Sequence, residues 1–99
     1  MTKITLLCNA GMSTSMLVTK MQEAAKESGF ECEINAYPSA EAQAKAADSD
    51  VILIGPQIRF QLSKIKALFP NIPVEAIDMR VYGRMDGAAA LELAKSLVK

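Results

Sequence analysis

The sequence predicts an α/β fold: a four-stranded parallel sheet in the order 2-1-3-4 with helices on both faces, a three-layer sandwich. Two observations carry the expectation. Short apolar runs rich in Ile, Leu and Val, at Lys3 to Leu7 and Val51 to Ile54, alternate with longer stretches whose apolar residues recur at helical spacing. The breaks between them fall on turn residues, at Gly29, Tyr37-Pro38-Ser39, Gly55-Pro56 and Pro70 to Pro73. An alternation of strand and helix four times over implies right-handed crossovers between parallel strands. With 99 residues, about half of them apolar, residues 1–99 form a single domain.

Lys3 to Leu7 reads as a first strand buried on both faces. Ser13 to Ser28 contains no Pro or Gly and sets Leu17, Met21, Ala24 and Ala25 on one helical face, with Gly29 as the residue that stops the helix. Glu31 to Ala36 alternates in the manner of a half-exposed strand nearer the sheet edge, with Cys32 and Ile34 inward. Ser39 is the expected N-cap of a short alanine-rich helix ending near Ala47. Val51 to Ile54, closed by Gly55-Pro56, marks a central strand. Ile58, Leu62, Ile65 and Phe69 then share the apolar face of a helix from about Gln57 to Phe69. Val74 to Ile77 is the fourth strand, Asp78 to Arg84 a loop, and Asp86 the cap of a final helix reaching Lys99, with Leu91, Ala94, Leu97 and Val98 toward the sheet.

In such a sheet the ligand site lies beyond the carboxyl ends of the strands, near a switch in strand order. Cys8 stands there, at the end of the first strand, followed by Asn9, Ala10, Gly11, Met12, Ser13, Thr14 and Ser15. The first amides of a helix lack intrahelical partners, and the aligned peptide dipoles place partial positive charge beside them, so this turn suits an anion. The same amides favour a cysteine's thiolate over its thiol. Gly11 lets the backbone approach a ligand closely, and Ser13, Thr14 and Ser15 supply hydroxyls. The expected chemistry is phosphoryl transfer to sulfur, with Cys8 as nucleophile and residues 9–15 as the phosphate-binding loop. Loops at the same edge bring Gln57, Ile58, Arg59, Arg80, Tyr82 and Arg84, which together with Met12 are expected to form a partner-docking rim.

Composition narrows the field. Eleven basic and eleven acidic side chains cancel, so nothing in the balance suggests nucleic acid or an anionic membrane as partner. Two cysteines, Cys8 and Cys32, make neither a disulfide scaffold nor a zinc site, and a reducing cytoplasm is the expected setting. No histidine occurs, which excludes phosphohistidine, Cys-His and Ser-His-Asp chemistry on this chain. The apolar run after Lys3 is too short for a signal segment, and none approaches the roughly 20 residues of a membrane span, so a soluble chain is expected. No metal or cofactor is called for.

The segments Cys8-Asn9-Ala10-Gly11-Met12-Ser13-Thr14-Ser15, Ile54-Gly55-Pro56-Gln57-Ile58 and Val81-Tyr82-Gly83 give the chain a resemblance to the IIB subunits of the lactose/cellobiose (chitobiose) branch of the bacterial sugar phosphotransferase system. The likeness extends over essentially the whole chain. It implies a cytoplasmic phosphocarrier whose cysteine, matched by Cys8, takes a phosphoryl group from a phosphohistidine on the IIA subunit. The group then passes to a sugar, such as a disaccharide, held by the membrane subunit IIC. Asn9 to Ser15 match that family's phosphate-binding loop, and the family's fold is likewise a four-stranded parallel sheet.

Plainer readings stand beside these. A free cysteine is often a small core residue, and Cys32, mid-strand with no helix start beside it, is expected to be one. The hydroxyls of residues 13–15 also suit helix capping, and Asp78, Arg59, Arg80 and Arg84 suit a solvated surface. The main rival function is a low-molecular-weight tyrosine phosphatase or arsenate reductase, which shares the strand, cysteine loop and helix but carries an arginine where this chain has Thr14. Without that guanidinium the transferring group loses a bidentate clamp, and only Asp78 and Asp86 are placed to serve as general acid. A nucleotide-binding module ranks last, since no glycine-rich nucleotide loop is present.

Overall fold

The computed structural model describes residues 1–8 and 12–98, with the backbone alone at positions 12 and 13. Strand β1 (Thr2–Cys8) leads into helix α1 (Met12–Ser28), strand β2 (Cys32–Pro38), a 3-10 turn (Ser39–Glu41) and helix α2 (Ala42–Lys45). Strand β3 (Val51–Ile54), a 3-10 segment (Pro56–Gln61), helix α3 (Leu62–Leu68), strand β4 (Val74–Ala76), helix α4 (Met79–Gly83) and helix α5 (Gly87–Leu97) complete the chain. The four strands are parallel in the order β2-β1-β3-β4. No helix among the described residues is long and apolar enough to cross a membrane.

The sheet separates two apolar layers. On one face Ile4 and Leu6 of β1 with Val51 and Leu53 of β3 meet Leu17, Val18, Met21 and Ala25 of α1, Tyr82 of α4, and Ala90, Leu91 and Ala94 of α5. On the other, Leu7, Ile52, Ile54 and Val74 meet Ala42, Ala46, Ile58, Ile65 and Phe69. Alternate residues of β1 and β3 thus serve opposite layers, which is why β3 reads as an unbroken apolar run and β1 as one interrupted from Ile4 onward only by the buried Thr5.

α1 ends as Gly29 predicts. Gly29 takes φ 71°, Phe30 N–H donates to Ala25 O at 2.9 Å and Gly29 N–H to Lys26 O at 3.3 Å, the paired bonds of a Schellman motif. Asp86 caps α5, its Oδ1 accepting from Ala89 N–H at 3.0 Å.

Four expectations about elements are corrected. Ser39 is no N-cap: β2 runs on to Pro38, paired with Cys8, so the chain enters the 3-10 turn at Ser39 with no side-chain cap bond. The helix expected from Gln57 to Phe69 is broken, because Ile58 (φ −117°, ψ 25°) leaves the helical path to sink its side chain into the core. The span 78–84 is not a loop, since Asp78 Oδ1 accepts from Arg80 N–H at 2.7 Å and starts α4. The last helix stops at Leu97, Val98 being extended.

Candidate functional site

In the order β2-β1-β3-β4 the chain leaves β1 for β2 on one side and later returns to β3 on the other, so the switch in strand order lies between the carboxyl ends of β1 and β3. Cys8 is the last residue of β1 at that point, 3% exposed, with its thiol donating a long 3.9 Å contact to Tyr37 O. Gly55 closes the site from the β3 side. Its N–H donates to Leu7 O at 2.9 Å, and a Cβ built on it would stand 3.8 Å from Cys8 Cβ and 3.0 Å from Gln57 Oε1. A side chain at position 55 would therefore meet Cys8 at ordinary contact distance and press on the movable Gln57 amide, so the third strand's loop lies beside the cysteine.

The proposed phosphate loop is partly visible. Asn9, Ala10 and Gly11, and the side chains of Met12 and Ser13, lie outside the described residues. Ser15 is exposed on the first turn of α1. Thr14 departs from the expectation that its hydroxyl faces a ligand: it is 1% exposed, and its Oγ1 shares a 2.9 Å hydrogen bond with the Tyr82 hydroxyl. The reason is helical register. Thr14 sits at i−3 from Leu17 and i−7 from Met21, on the stripe that α1 buries.

The rim divides in the same way. Gln57, Arg59, Arg80 and Arg84 are exposed, whereas Ile58 (1%) and Tyr82 (7%) are core residues with no surface to offer a partner. Ile58 belongs to the apolar stripe continued by Ile65, and Tyr82 is turned inward from α4, so neither side chain stands exposed on the expected rim. In their place the same edge exposes three large apolar side chains that sequence reading passed over: Phe60 (81%), Met79 (77%) and Met16. The signal was present for Phe60, which falls off the 58-62-65-69 stripe. Between Arg59 and Arg80 a groove of about 390 Å³ runs along the end of β4, walled by Pro56, Leu62, Ala76 and Asp78. Cys8 is not among the residues that line it.

Cys32 is a different thiol. It is half-buried in the first residue of the edge strand β2, among the residues that pack against the α1 layer, and burial pushes its pKa up.

Fold and site define a class: a doubly wound α/β domain with a cysteine at the switch point, directly ahead of a helix. A family described as the lactose/cellobiose-specific IIB subunit of the PTS system matches residues 3–93. The chain is 48% identical over 100 residues to the oligo-β-mannoside-specific EIIB component of Bacillus subtilis, covering 99% of this chain and 97% of that one. It is 41% identical over 102 residues to the galactose-specific EIIB component of Lactococcus lactis, covering 96% and 94%. Among solved structures, the cellobiose-specific IIB component of Borrelia burgdorferi superposes with a TM-score of 0.82 at 34% identity, over 98% of this chain and 91% of that one. The lactose-specific IIB domain of Streptococcus pneumoniae shares the fold, with a TM-score of 0.89 at 18% identity over 99% and 98%. The chain belongs to the lactose/cellobiose-specific IIB family of the sugar phosphotransferase system.

Proposed function

We propose that the chain is a cytoplasmic phosphocarrier in which Cys8 accepts a phosphoryl group from a phosphohistidine of a IIA subunit and delivers it to a sugar held by a IIC membrane subunit. The observation that carries this reading is the place of Cys8: at the switch point of the sheet, four positions before the first residue of α1, in a chain of the IIB family. In the first step the Cys8 thiolate attacks phosphorus in line, the S–P bond forms, the P–N bond breaks and the imidazole leaves. In the second a sugar hydroxyl oxygen attacks phosphorus, the S–P bond breaks, the thiolate returns and the hydroxyl proton goes to a base on the partner. This chain has no histidine to serve as that base.

The backbone amides from about Ala10 to Ser15 receive the phosphoryl oxygens, and the α1 dipole offsets their charge. No guanidinium occupies position 14, so the group is held without the clamp that speeds transfer to water. Exposed Phe60, Met79 and Met16, with Gln57, Arg59, Arg80 and Arg84, form the docking rim, apolar at its contacts and cationic at its margin toward a phosphorylated partner.

Intact mass after incubation with phosphorylated IIA is the test. A phosphoryl-sized increase is expected in the wild-type chain and in Cys32→Ser, and none in Cys8→Ser. An adduct that survives Cys8→Ser and disappears in Cys32→Ser reverses the assignment, and Cys8-dependent hydrolysis of an aryl phosphate by the chain alone replaces the carrier with a phosphatase.

A further inference from the structure

The hydrogen bond between Thr14 and Tyr82 joins residues 68 apart in sequence and is buried on both sides. Thr14 lies in the first turn of α1, at the end of the phosphate loop. Tyr82 lies in α4, whose position is set independently of that loop: Asp78 caps its start, and Met85, at φ 52°, turns the chain sharply into α5. The corner is then locked to α1 a second time. A Cβ at Gly87 would fall 2.3 Å from Lys20 C and 2.5 Å from Met21 N, so α5 starts in backbone contact with the middle of α1. Gly87 sets how closely the helices approach, and the phenol sets where the first turn of α1 rests within that approach.

We propose that Tyr82 is a positioning residue for phosphoryl transfer: through Thr14 it orients the first-turn amides of α1 toward the phosphoryl group on Cys8. The proposal rests on the Cys8 carrier reading. A phenylalanine at 82 fills the same apolar space but leaves the Thr14 hydroxyl without its bond, and the turn is then free to rotate by the few tenths of an ångström that misalign amide donors. Tyr82 has no part in recognising the donor, because it is 7% exposed and the rim residues lie elsewhere.

The experiment compares wild type, Tyr82→Phe, Thr14→Val, the double variant and Thr5→Val, following single-turnover phosphorylation by phosphorylated IIA across a range of donor concentrations. Thr5→Val is the control for stability, since it removes a comparable buried hydroxyl pair, Thr5 with Ser49, away from the cysteine. Thermal unfolding should fall by a similar few degrees in Tyr82→Phe and Thr5→Val. The maximal transfer rate should drop about tenfold in Tyr82→Phe with the half-saturating donor concentration unchanged, while Thr5→Val stays within twofold of wild type. The double variant should be no slower than the slower single variant, the mark of two groups acting through one bond. A wild-type rate in Tyr82→Phe, or rate losses that multiply in the double variant, would overturn the proposal and leave the carrier reading standing. Failure of the wild-type chain to take a phosphoryl group on Cys8 removes the carrier reading and the proposal with it.

Discussion

The two faces of the sheet are built differently. One is covered by the two longest helices, α1 with 17 residues and α5 with 11, locked together where Gly87 meets the α1 backbone. The other is covered by pieces: a 3-10 turn and the four-residue α2, then a 3-10 segment bent at Ile58 and the seven-residue α3. Caps follow the same division. Asp86 holds the start of α5 with a side-chain bond, while neither Glu41 before α2 nor Gln61 before α3 makes one. The helix that follows the cysteine loop therefore stands on the better-braced face. What the difference teaches is that a chain of this size concentrates its regular packing behind the element that must hold a precise orientation, and covers the far face with adaptable segments.

The contrast breaks most severely at Gly87. A methyl there collides with backbone atoms of Lys20 and Met21 that no rotamer change can move, so Gly87→Ala should cost more than about 3 kcal/mol in urea unfolding and separate α5 from α1. Near-wild-type stability would mean that the helices slide apart freely and that the braced face is not braced. On the opposite face Ile65→Ala empties a 1%-exposed site under α3, at about 2–3 kcal/mol, the lower part of the cavity range, because a segmented helix relaxes into the space. A larger loss than that from Gly87→Ala would invert the comparison. The smallest effect concerns the caps: Asp86→Ala should cost about 1 kcal/mol, while Gln61→Ala, which removes no cap bond, should leave the denaturation midpoint within error. Equal losses in the two would show that capping does not distinguish the faces.

Much of this was legible in the sequence because it is local. Short, largely apolar runs marked β1 and β3 as strands buried on both faces, the Gly29 signal placed the end of α1, and Asp86 announced α5. Cys8 could be set at a strand's end ahead of a helix from neighbouring residues alone. The irregular segments were not legible in this way. Reading Asp78 as a loop residue hid its role as a cap, and that single misreading put Tyr82 on a docking rim. The hydroxyl run at residues 13–15 invited a ligand for each member, although the α1 stripe already assigned Thr14 to the interior.

By itself, then, the sequence determined the strand and helix order, the parallel sheet and the position of the cysteine within it, since periodicity and turn chemistry act over a few residues. Only the tertiary structure decided which side chains of the connecting segments turn inward. Ile58 is pulled from a helical path by the apolar layer beneath it, and Phe60 is left facing solvent two residues later. Tyr82 meets Thr14 because α4 and the first turn of α1 fold onto the same face of the sheet, a juxtaposition across 68 residues that no local pattern encodes.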